Sequence, residues 1–363
     1  MNRALNHLPE TPTVLIERGV LGRNLSQMAS FAAQQGLKLR PHAKTHKIIE
    51  IARAQLSAGA TGLSVATIGE AEVFAEAGCR DLFIAYPLWP SPVKQERIRA
   101  LLAKGVELRL GVDSPQAAAA WAGVDFANLG LMIELDSGHH RSGVAVDQVV
   151  EVARAVAGSG RVLRGLFTFP GHSYAPEQPA LAARDEHDCL LAARSQLQQA
   201  GFEVDGLELS GGSTPSVTLT ETGAATEIRP GVYVFNDAQQ LELGRCRWED
   251  IALTVAGTVV SRRKDLGQVI LDAGSKILGS DRPAWASGFA RIMEVPEARV
   301  SALSEHHATV VWPAGEALPE LGTVLRVVPN HVCLVLNLVD EVTVINAAEV
   351  VGTWAVAARG RNN

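Results

Sequence analysis

Short apolar runs alternate with longer amphipathic stretches from the start of the chain to about residue 240. Several runs are apolar at nearly every position, which is typical of strands buried on both faces of a parallel sheet. Eight strands are predicted in this part, at residues 37–42, 61–67, 81–86, 106–112, 129–136, 162–169, 206–210 and 227–231. The intervening stretches are rich in Ala, Leu, Glu and Gln, and helices are predicted at residues 45–58, 69–77, 146–157 and 178–200.

The pattern changes after about residue 240, where β-branched runs separated by turn residues replace the alternation. These runs predict antiparallel strands at residues 252–261, 267–272, 308–312, 322–328, 332–338 and 341–346. Eight βα units fit a (β/α)8 barrel, whereas an open doubly wound sheet is disfavoured because no GxGxxG follows the first strand.

The sequence therefore predicts an α/β fold, a TIM-like (β/α)8 barrel followed by a C-terminal antiparallel β domain. We assign residues 13–240 to the barrel, and residues 1–12 with 241–363 to the β domain. The short run at 12–18 could belong to either module.

Composition excludes several classes of function. Lys and Arg number 33 against 39 Asp and Glu, a net charge of −6, and there is no basic cluster of the kind that binds nucleic acid. No run of about 18 apolar residues is present to span a membrane, and the opening residues lack the apolar stretch of a secretory signal. The four cysteines are far apart without a CxxC pair, which favours reduced thiols in the cytoplasm.

Lys44 lies at the end of the first barrel strand, where barrel proteins place their chemistry. A lysine partly shielded from water there would be a nucleophile for carbonyl compounds. The alternative is that Lys44 and Lys47 simply begin a solvated helix.

Two further strand ends carry candidate residues. The loop LDSGHHRSG at 135–143 could aim Arg141 inward, and FPGHSY at 169–174 could place His172 and Tyr174 against a planar ligand. A polar turn and a barrel cap without a ligand explain these segments equally well.

Two glycine-containing segments follow the last two barrel strands: SGGST at 210–214 and RPGVY at 229–233. Glycines let backbone amides approach an anion closely, and the loops after strands seven and eight of barrels commonly hold phosphate. Glycine-serine turns are also common without any ligand.

His331 and Cys333 are two residues apart in an apparent strand, which would put both side chains on one face. Imidazole and thiolate together suit Zn²⁺, and two protein ligands would leave open positions, as in catalytic sites. A buried free cysteine beside a hydrogen-bonded histidine is the alternative.

Taken together, these motifs resemble the pyridoxal-phosphate (PLP) enzymes of the alanine-racemase-like fold, in the D-threonine aldolase and D-serine dehydratase branch. The resemblance spans nearly the whole chain. It rests on RPHAKTHK at 40–47, ATIGEAE at 66–72, LDSGHHRSG at 135–143, GHSY at 171–174, SGGST at 210–214, RPGVYVFND at 229–237 and PNHVC at 329–333. RPHAKTHK and the distal HxC pair are its most specific parts.

The resemblance implies that Lys44 binds PLP covalently and moves the substrate Cα proton. It further implies that Arg141 contacts the phenolic oxygen of the cofactor and that His172, as a second catalytic residue, lines the ring and substrate with Tyr174. The phosphate-binding residues that it implies are Gly211, Gly212, Ser213, Gly231 and Tyr233. His331 and Cys333 would bind a divalent metal at the active site.

The implied activity is a lyase reaction on 3-hydroxy D-amino acids. Family members described as aldolases often carry His-x-Asp, whereas zinc-dependent D-serine dehydratases carry His-x-Cys, so Cys333 favours Zn²⁺ over Mn²⁺ or Mg²⁺ and a D-serine dehydratase-like elimination of water. D-threonine aldolase is the alternative. A racemase, which needs a second base, and a PLP-carrier protein are more remote. Family analogy also predicts a homodimer.

Overall fold

The computed structural model describes residues 10–347 and 349–363, which form two compact units. The barrel unit comprises Met28–Lys44, Ile51–Gly231 and Arg361–Asn363. The β unit comprises the described residues up to Gln27, together with Thr45–Glu50 and Val232–Gly360. Of the segment 1–12 assigned to the β domain, residues 1–9 lie outside the described residues. The domain limits at residues 12 and 240 stay a prediction, because a compact unit is not the same as an independently folding domain.

Eight parallel strands form the sheet of the barrel unit. Numbered along the whole chain, they are β2 (Lys38–Leu39), β3 (Leu63–Val65), β4 (Asp81–Pro87), β5 (Glu107–Val112), β6 (Leu129–Leu135), β7 (Val162–Thr168), β8 (Glu208–Gly211) and β9 (Glu227–Ile228). β2 pairs with β9, and a parallel bridge between His42 and Ser64 joins it to β3. The ring of strands is therefore closed, and the predicted (β/α)8 barrel is confirmed.

Helices precede or connect the barrel strands. They are α1 (Arg18–Gln34), α2 (Ile49–Ser57), α3 (Ile68–Glu76), α4 (Pro92–Ala103), α5 (Pro115–Ala119), α6 (Val149–Gly158) and α7 (Pro179–Gln199). Hydroxyl caps at Thr67, Ser91 and Ser114 accept a backbone amide of the first turn and fix where α3, α4 and α5 begin. Among the described residues, no helix combines the length and apolar character needed to cross a membrane.

Apolar side chains pack the interior of the barrel unit. β6 is buried at every position, as its continuous apolar run predicts. Phe83, Met132 and Phe167 form one cluster inside, and the rings of Phe83 and Phe167 meet edge to face with centroids 5.0 Å apart. The barrel is therefore a packed core, with its polar groups confined to the two ends.

Paired charges fill the end of the barrel where the strands begin. Asp81, Glu208 and Glu227 are the first residues of β4, β8 and β9. Arg40 Nε lies 2.7 Å from Glu227 and its Nη1 lies 2.6 Å from Asp81. Arg109 contacts Asp81 and lies 2.6 Å from Glu208. Because Arg40 and Glu227 are 1% and 0% exposed, each carboxylate in this network depends on its guanidinium partner.

We expect Arg40→Met to lower the free energy of unfolding by about 3–5 kcal/mol, because Glu227 would stay buried as an unpaired carboxylate. Arg97→Met is the matched control: its Nε lies 2.7 Å from Glu72, but these side chains are 26% and 33% exposed, so about 1 kcal/mol or less should be lost. Urea unfolding followed by circular dichroism measures both. Equal losses in the two variants would contradict the importance of burial here.

The β unit contains nine strands, counted over the described residues. They are β1 (Thr13–Glu17), β10 (Leu253–Arg263), β11 (Gln268–Leu271), β12 (Ala290–Ile292), β13 (Arg299–Leu303), β14 (Ala308–Val311), β15 (Val324–Pro329), β16 (Glu341–Asn346) and β17 (Glu349–Ala355). Their order is β11-β14-β13-β12-β15-β10-β1-β16-β17, and β10 also pairs with β11. All pairs are antiparallel except β1 with β16. The predicted antiparallel β domain is confirmed, with β1 as one of its strands.

The strand predicted at 332–338 is wrong, because this segment is a helix. The β unit contains α8 (Ala238–Glu242), α9 (Ser275–Leu278) and α10 (Val332–Leu338). In α10 the buried residues are Val332, Val335 and Leu336, a helical spacing that a short run of Val and Leu does not distinguish from a strand. His331 and Cys333 are therefore not brought together by strand alternation. His331 is extended and precedes the helix, and Cys333 lies in its first turn.

Candidate functional sites

Lys44 lies at the carboxyl end of the first barrel strand, as its position in the sequence predicts. It is the central residue of a 3-10 helix, Ala43–Thr45, that starts immediately after the His42 bridge. The side chain is half-buried. The helix predicted from residue 45 begins only at Ile49, because Lys47 adopts a left-handed conformation with φ 56° that interrupts a helix.

The ring of Phe169 brings three predicted loops together. Lys44 Nζ lies 5.8 Å and Arg141 Cζ 4.9 Å from its centroid. The His139 ring meets it edge-on at 5.5 Å, and the Tyr174 ring lies at 6.5 Å. Both cations thus lie within cation–π distance of one aromatic ring. Phe169 is the first residue of the FPGHSY segment, but its role was missed because an apolar residue at a strand end is usually core.

The loop after β6 that carries Arg141 is built around Asp136. One oxygen of Asp136 accepts the backbone amides of Gly138 and His140, and its other oxygen lies 2.8 Å from His140 Nδ1. Arg141 Nη2 lies 4.0 Å from Glu134. Burial raises the pKa of Glu134, although a hydrogen bond from Ser142 and the charge of Arg141 oppose this. Arg141 is therefore held beside a carboxyl group that is buried near the end of β6.

His172 and Tyr174 follow β7, where they were predicted. His172 Nε2 lies 3.2 Å from Asp185 Oδ2, and among the described residues its buried Nδ1 has no hydrogen-bond partner. A Cβ on Gly171 would lie 2.5 Å from the His139 ring, so only glycine allows this ring to pack there. The loop is thus shaped to leave one buried imidazole nitrogen available to a ligand.

The glycine loop after β8 is anchored by a buried carboxyl group that the sequence did not reveal. The Gly212 amide donates to both oxygens of Glu186, at 2.9 and 3.0 Å. A Cβ on Gly211 would lie 2.6 Å from the same carboxyl group. Ser213 Oγ lies 2.8 Å from the hydroxyls of both Ser173 and Ser216. The Gly212 amide is thereby already engaged, which leaves the other donors of this loop to meet an anion.

Two other residues predicted to bind phosphate lie where the chain passes from the barrel unit to the β unit. Gly231 is the last residue of the main barrel segment, and Tyr233 lies in the β unit on the 3-10 helix Val232–Val234, with its side chain buried. Near them in sequence, the buried Arg229 donates to Ser210 Oγ at 2.6 Å and to the Thr168 carbonyl at 2.7 Å. Arg229 is a fixed cation beneath the loops, and sequence analysis treated it only as part of a turn.

His331 and Cys333 each have a polar partner within the β unit. His331 Nδ1 lies 2.7 Å from Asp281 Oδ2, and the Cys333 thiol donates to Thr45 Oγ1 at 3.4 Å. A carboxylate on one ring nitrogen fixes a histidine so that the other nitrogen can bind a metal. Within the described part of the chain, no cluster of three His, Cys, Asp or Glu side chains could hold a metal. The structure thus orients the His331 ring and gives the Cys333 thiol a hydroxyl partner.

Asp237 joins the segment after the barrel to the start of α10. Its two oxygens accept the amides of Gln240, at 3.0 Å, and of Val332, at 3.3 Å. Burial raises its pKa to about 6, opposed by the charge of His331. Asp237 thus fixes the backbone between His331 and Cys333, and neither it nor Asp281 was identified from the sequence.

Comparison with known proteins gives the family. The alanine racemase N-terminal domain matches residues 16–239, and the putative serine dehydratase domain matches residues 252–345. The chain belongs to the alanine-racemase-like family. The second domain puts it in the branch with the D-serine dehydratases and D-threonine aldolases, so the resemblance of its motifs is confirmed.

Three characterised relatives resemble the chain over nearly its full length. D-threo-3-hydroxyaspartate dehydratase of Delftia sp. HT23 is 34% identical over 89% of this chain and 91% of that protein; its solved structure matches with a TM-score of 0.88, covering 97% and 98% of the two chains. D-serine dehydratase of Dictyostelium discoideum is 29% identical over 95% of both. D-threonine aldolase of an Arthrobacter species is 30% identical over 97% and 93%. These identities do not separate dehydration from aldol cleavage.

The buried carboxyl group of Glu186 should make the stability of the fold depend on pH. Burial raises its pKa from 4.5 to about 7, against hydrogen bonding from Gly212 and the charge of Arg229. The folded state therefore binds this proton more tightly than the unfolded state, and the stability it contributes is lost as the pH rises from about 4.5 through about 7.

Between about pH 5 and about pH 8, we expect the unfolding free energy of the wild type to fall with rising pH. In Glu186→Gln this fall should be smaller by about 3 kcal/mol. Urea unfolding at several pH values measures the difference, with the exposed Glu151→Gln as control. Parallel pH profiles for wild type and Glu186→Gln would contradict the assignment.

Proposed function

We propose that this protein is a PLP- and metal-dependent lyase that eliminates water from 3-hydroxy D-amino acids, as D-serine dehydratase does, giving a 2-oxo acid and ammonia. The observation that carries the proposal is that Lys44 and Arg141 both lie over the ring of Phe169 at the carboxyl end of a closed barrel. Membership of a family whose relatives are D-amino acid dehydratases and aldolases supports it.

The rim residues fit PLP in their chemistry. Lys44 would hold the cofactor through its amine, Arg141 would contact the phenolic oxygen, and Tyr174 would line the ring. The phosphate would be held by Gly211, Gly212, Ser213, Gly231 and Tyr233, and the Gly212 amide would have to leave Glu186 to take part. PLP, when bound, supplies an electron sink for charge developing at the substrate Cα.

Side chains at the rim of the barrel would transfer the substrate Cα proton and contact the substrate. Lys44 would take the proton from the substrate Cα, since its amine lies at the carboxyl end of the barrel, 5.8 Å from the Phe169 ring centroid. His172, oriented by Asp185 at 3.2 Å, would contact the substrate through its buried Nδ1. Arg141, 4.0 Å from Glu134, would keep a positive charge over the ring of Phe169.

His331 and Cys333 would hold the divalent metal, and the thiolate favours Zn²⁺ over the harder Mn²⁺ or Mg²⁺. Hydroxide is a poor leaving group, and a metal, when bound, supplies the Lewis acid that makes its departure feasible. Asp281 would hold the His331 ring in the orientation in which Nε2 is the ligand.

D-threonine aldolase activity is the second candidate, because a D-threonine aldolase is 30% identical over 97% of the chain. The same residues would then assist cleavage of the Cα–Cβ bond to glycine and an aldehyde. We also propose a small D-amino acid as substrate and a cytoplasmic homodimer, on family analogy and the free cysteines among the described residues. Incubation with D-serine, D-threonine and D-threo-3-hydroxyaspartate tests the two activities: keto acid supports dehydration, and glycine supports the aldolase.

We expect Lys44→Ala to abolish the visible absorbance of lysine-bound cofactor and the lyase activity, because no other amine is proposed to bind PLP. Borohydride reduction of the wild type followed by peptide mass mapping should find the pyridoxyl group on Lys44. Lys38→Ala, which changes an exposed lysine of the preceding strand, should retain colour and activity. A pyridoxyl group on another lysine would refute the proposal.

Removal of the metal should distinguish its role in the reaction from that of PLP. Chelation should abolish lyase activity while leaving the visible absorbance of bound PLP intact, and Zn²⁺ should restore activity, because the metal acts on the leaving group and not on cofactor attachment. Absorbance and keto-acid formation are measured on the same sample. Full activity after verified metal removal would contradict the proposed role of the metal.

A further inference from the structure

Two of the three residues that follow Lys44 contact α10, the helix that carries Cys333. Thr45 is 1% exposed and accepts the Cys333 thiol at 3.4 Å. Lys47 Nζ donates to Asn337 Oδ1 at 2.9 Å. These contacts lie within the β unit and attach the end of the RPHAKTHK motif to the first and last turns of α10.

The backbone of this segment is fixed by its own hydrogen bonds. The Ile48 amide donates to His46 Nδ1 at 3.1 Å, and the Ala358 amide donates to the Lys47 carbonyl at 3.1 Å. Lys47 holds a left-handed conformation with φ 56°. Since His46 and Lys47 are also buried, the Thr45 hydroxyl is presented to Cys333 from a rigid support.

We propose that Thr45 is a positioning residue that orients the sulfur of Cys333 for metal binding. This inference rests on the proposed function, in which His331 and Cys333 hold a divalent metal. A hydroxyl can accept a hydrogen bond from a thiol and donate one to a thiolate. Thr45 therefore keeps the sulfur in one place both before and after metal binding releases the thiol proton to water.

Threonine is suited to this task by its shape. A β-branched side chain has few χ1 rotamers, so the buried hydroxyl of Thr45 is held in one direction. Asp281 thus contacts His331, and Thr45 contacts Cys333. Because Thr45 is joined by a peptide bond to Lys44, the residue that orients a metal ligand directly follows the lysine proposed to hold PLP.

The test uses the full-length PLP-loaded protein, stripped of metal and titrated with Co²⁺. Thiolate bound to Co²⁺ gives a charge-transfer absorption band, which reports sulfur coordination independently of activity. Thr45→Val removes the hydroxyl and keeps the shape, and Thr45→Ser keeps the hydroxyl. Thr254→Val, at another buried threonine of the β unit, is the control for loss of a buried hydroxyl, and Thr45→Ala replaces Thr45→Val if valine prevents folding.

We expect Thr45→Val to weaken Co²⁺ binding about tenfold and to diminish or shift the charge-transfer band, since loss of such partners typically costs about 10–100-fold in metal affinity. Thr45→Ser should restore both, and Thr254→Val should resemble the wild type. Unchanged affinity and band in Thr45→Val, with the band lost in Cys333→Ala, would overturn the role of Thr45 alone. An unchanged band in Cys333→Ala would instead refute the proposed metal pair.

Discussion

The strand ring closes at its two shortest members, and the position of every rim residue depends on that closure. β2 and β9 pair over only two residues each. The seam to β3 is made by the Thr61 amide on the Leu39 carbonyl at 2.9 Å and the Ser64 amide on the Pro41 carbonyl at 2.9 Å. With so few backbone hydrogen bonds, the seam also depends on Arg40, which spans from Glu227 on β9 to Asp81 on β4. Closure puts the carboxyl ends of all the strands on one rim, which is why Lys44 after β2 lies near Phe169 after β7.

The two ends of the barrel contain different kinds of buried polar groups. At the end where strands begin, Arg40 and Arg109 are matched by carboxylates at hydrogen-bond distance. At the rim, the buried Nδ1 of His172 and Oε2 of Glu134 have no hydrogen-bond partner within the described residues. Unsatisfied groups of this kind cost stability and are expected where a ligand completes them. The two unsatisfied rim groups lie beside the proposed site, and the buried Nε of Arg161, just before β7, also lacks a partner among the described residues.

The RPHAKTHK motif serves both compact units. Its residues up to Lys44 belong to the barrel unit, and those from Thr45 belong to the β unit. The left-handed turn at Lys47 ends the segment before α2 begins. A stretch of eight residues therefore supplies the barrel's amine and the support of a candidate metal ligand. Arg40 pairs with buried carboxylates in the barrel unit, whereas Thr45 and Lys47 contact α10 in the β unit.

The sequence by itself determined the fold class and the order of elements, because buried parallel strands are apolar at nearly every position and barrel chemistry follows strand ends. It also determined the family, through motifs spread along the whole chain. It could not determine the partners of those motifs: Glu186 under Gly212, Asp281 beside His331 and Thr45 beside Cys333 are 26, 50 and 288 positions away in the chain. It misassigned 332–338 because a short run of Val and Leu buries one face equally well as a strand or as a helix, and only packing against the rest of the β unit selects α10. Local pattern specified which elements form, and only tertiary packing decided which distant polar groups meet.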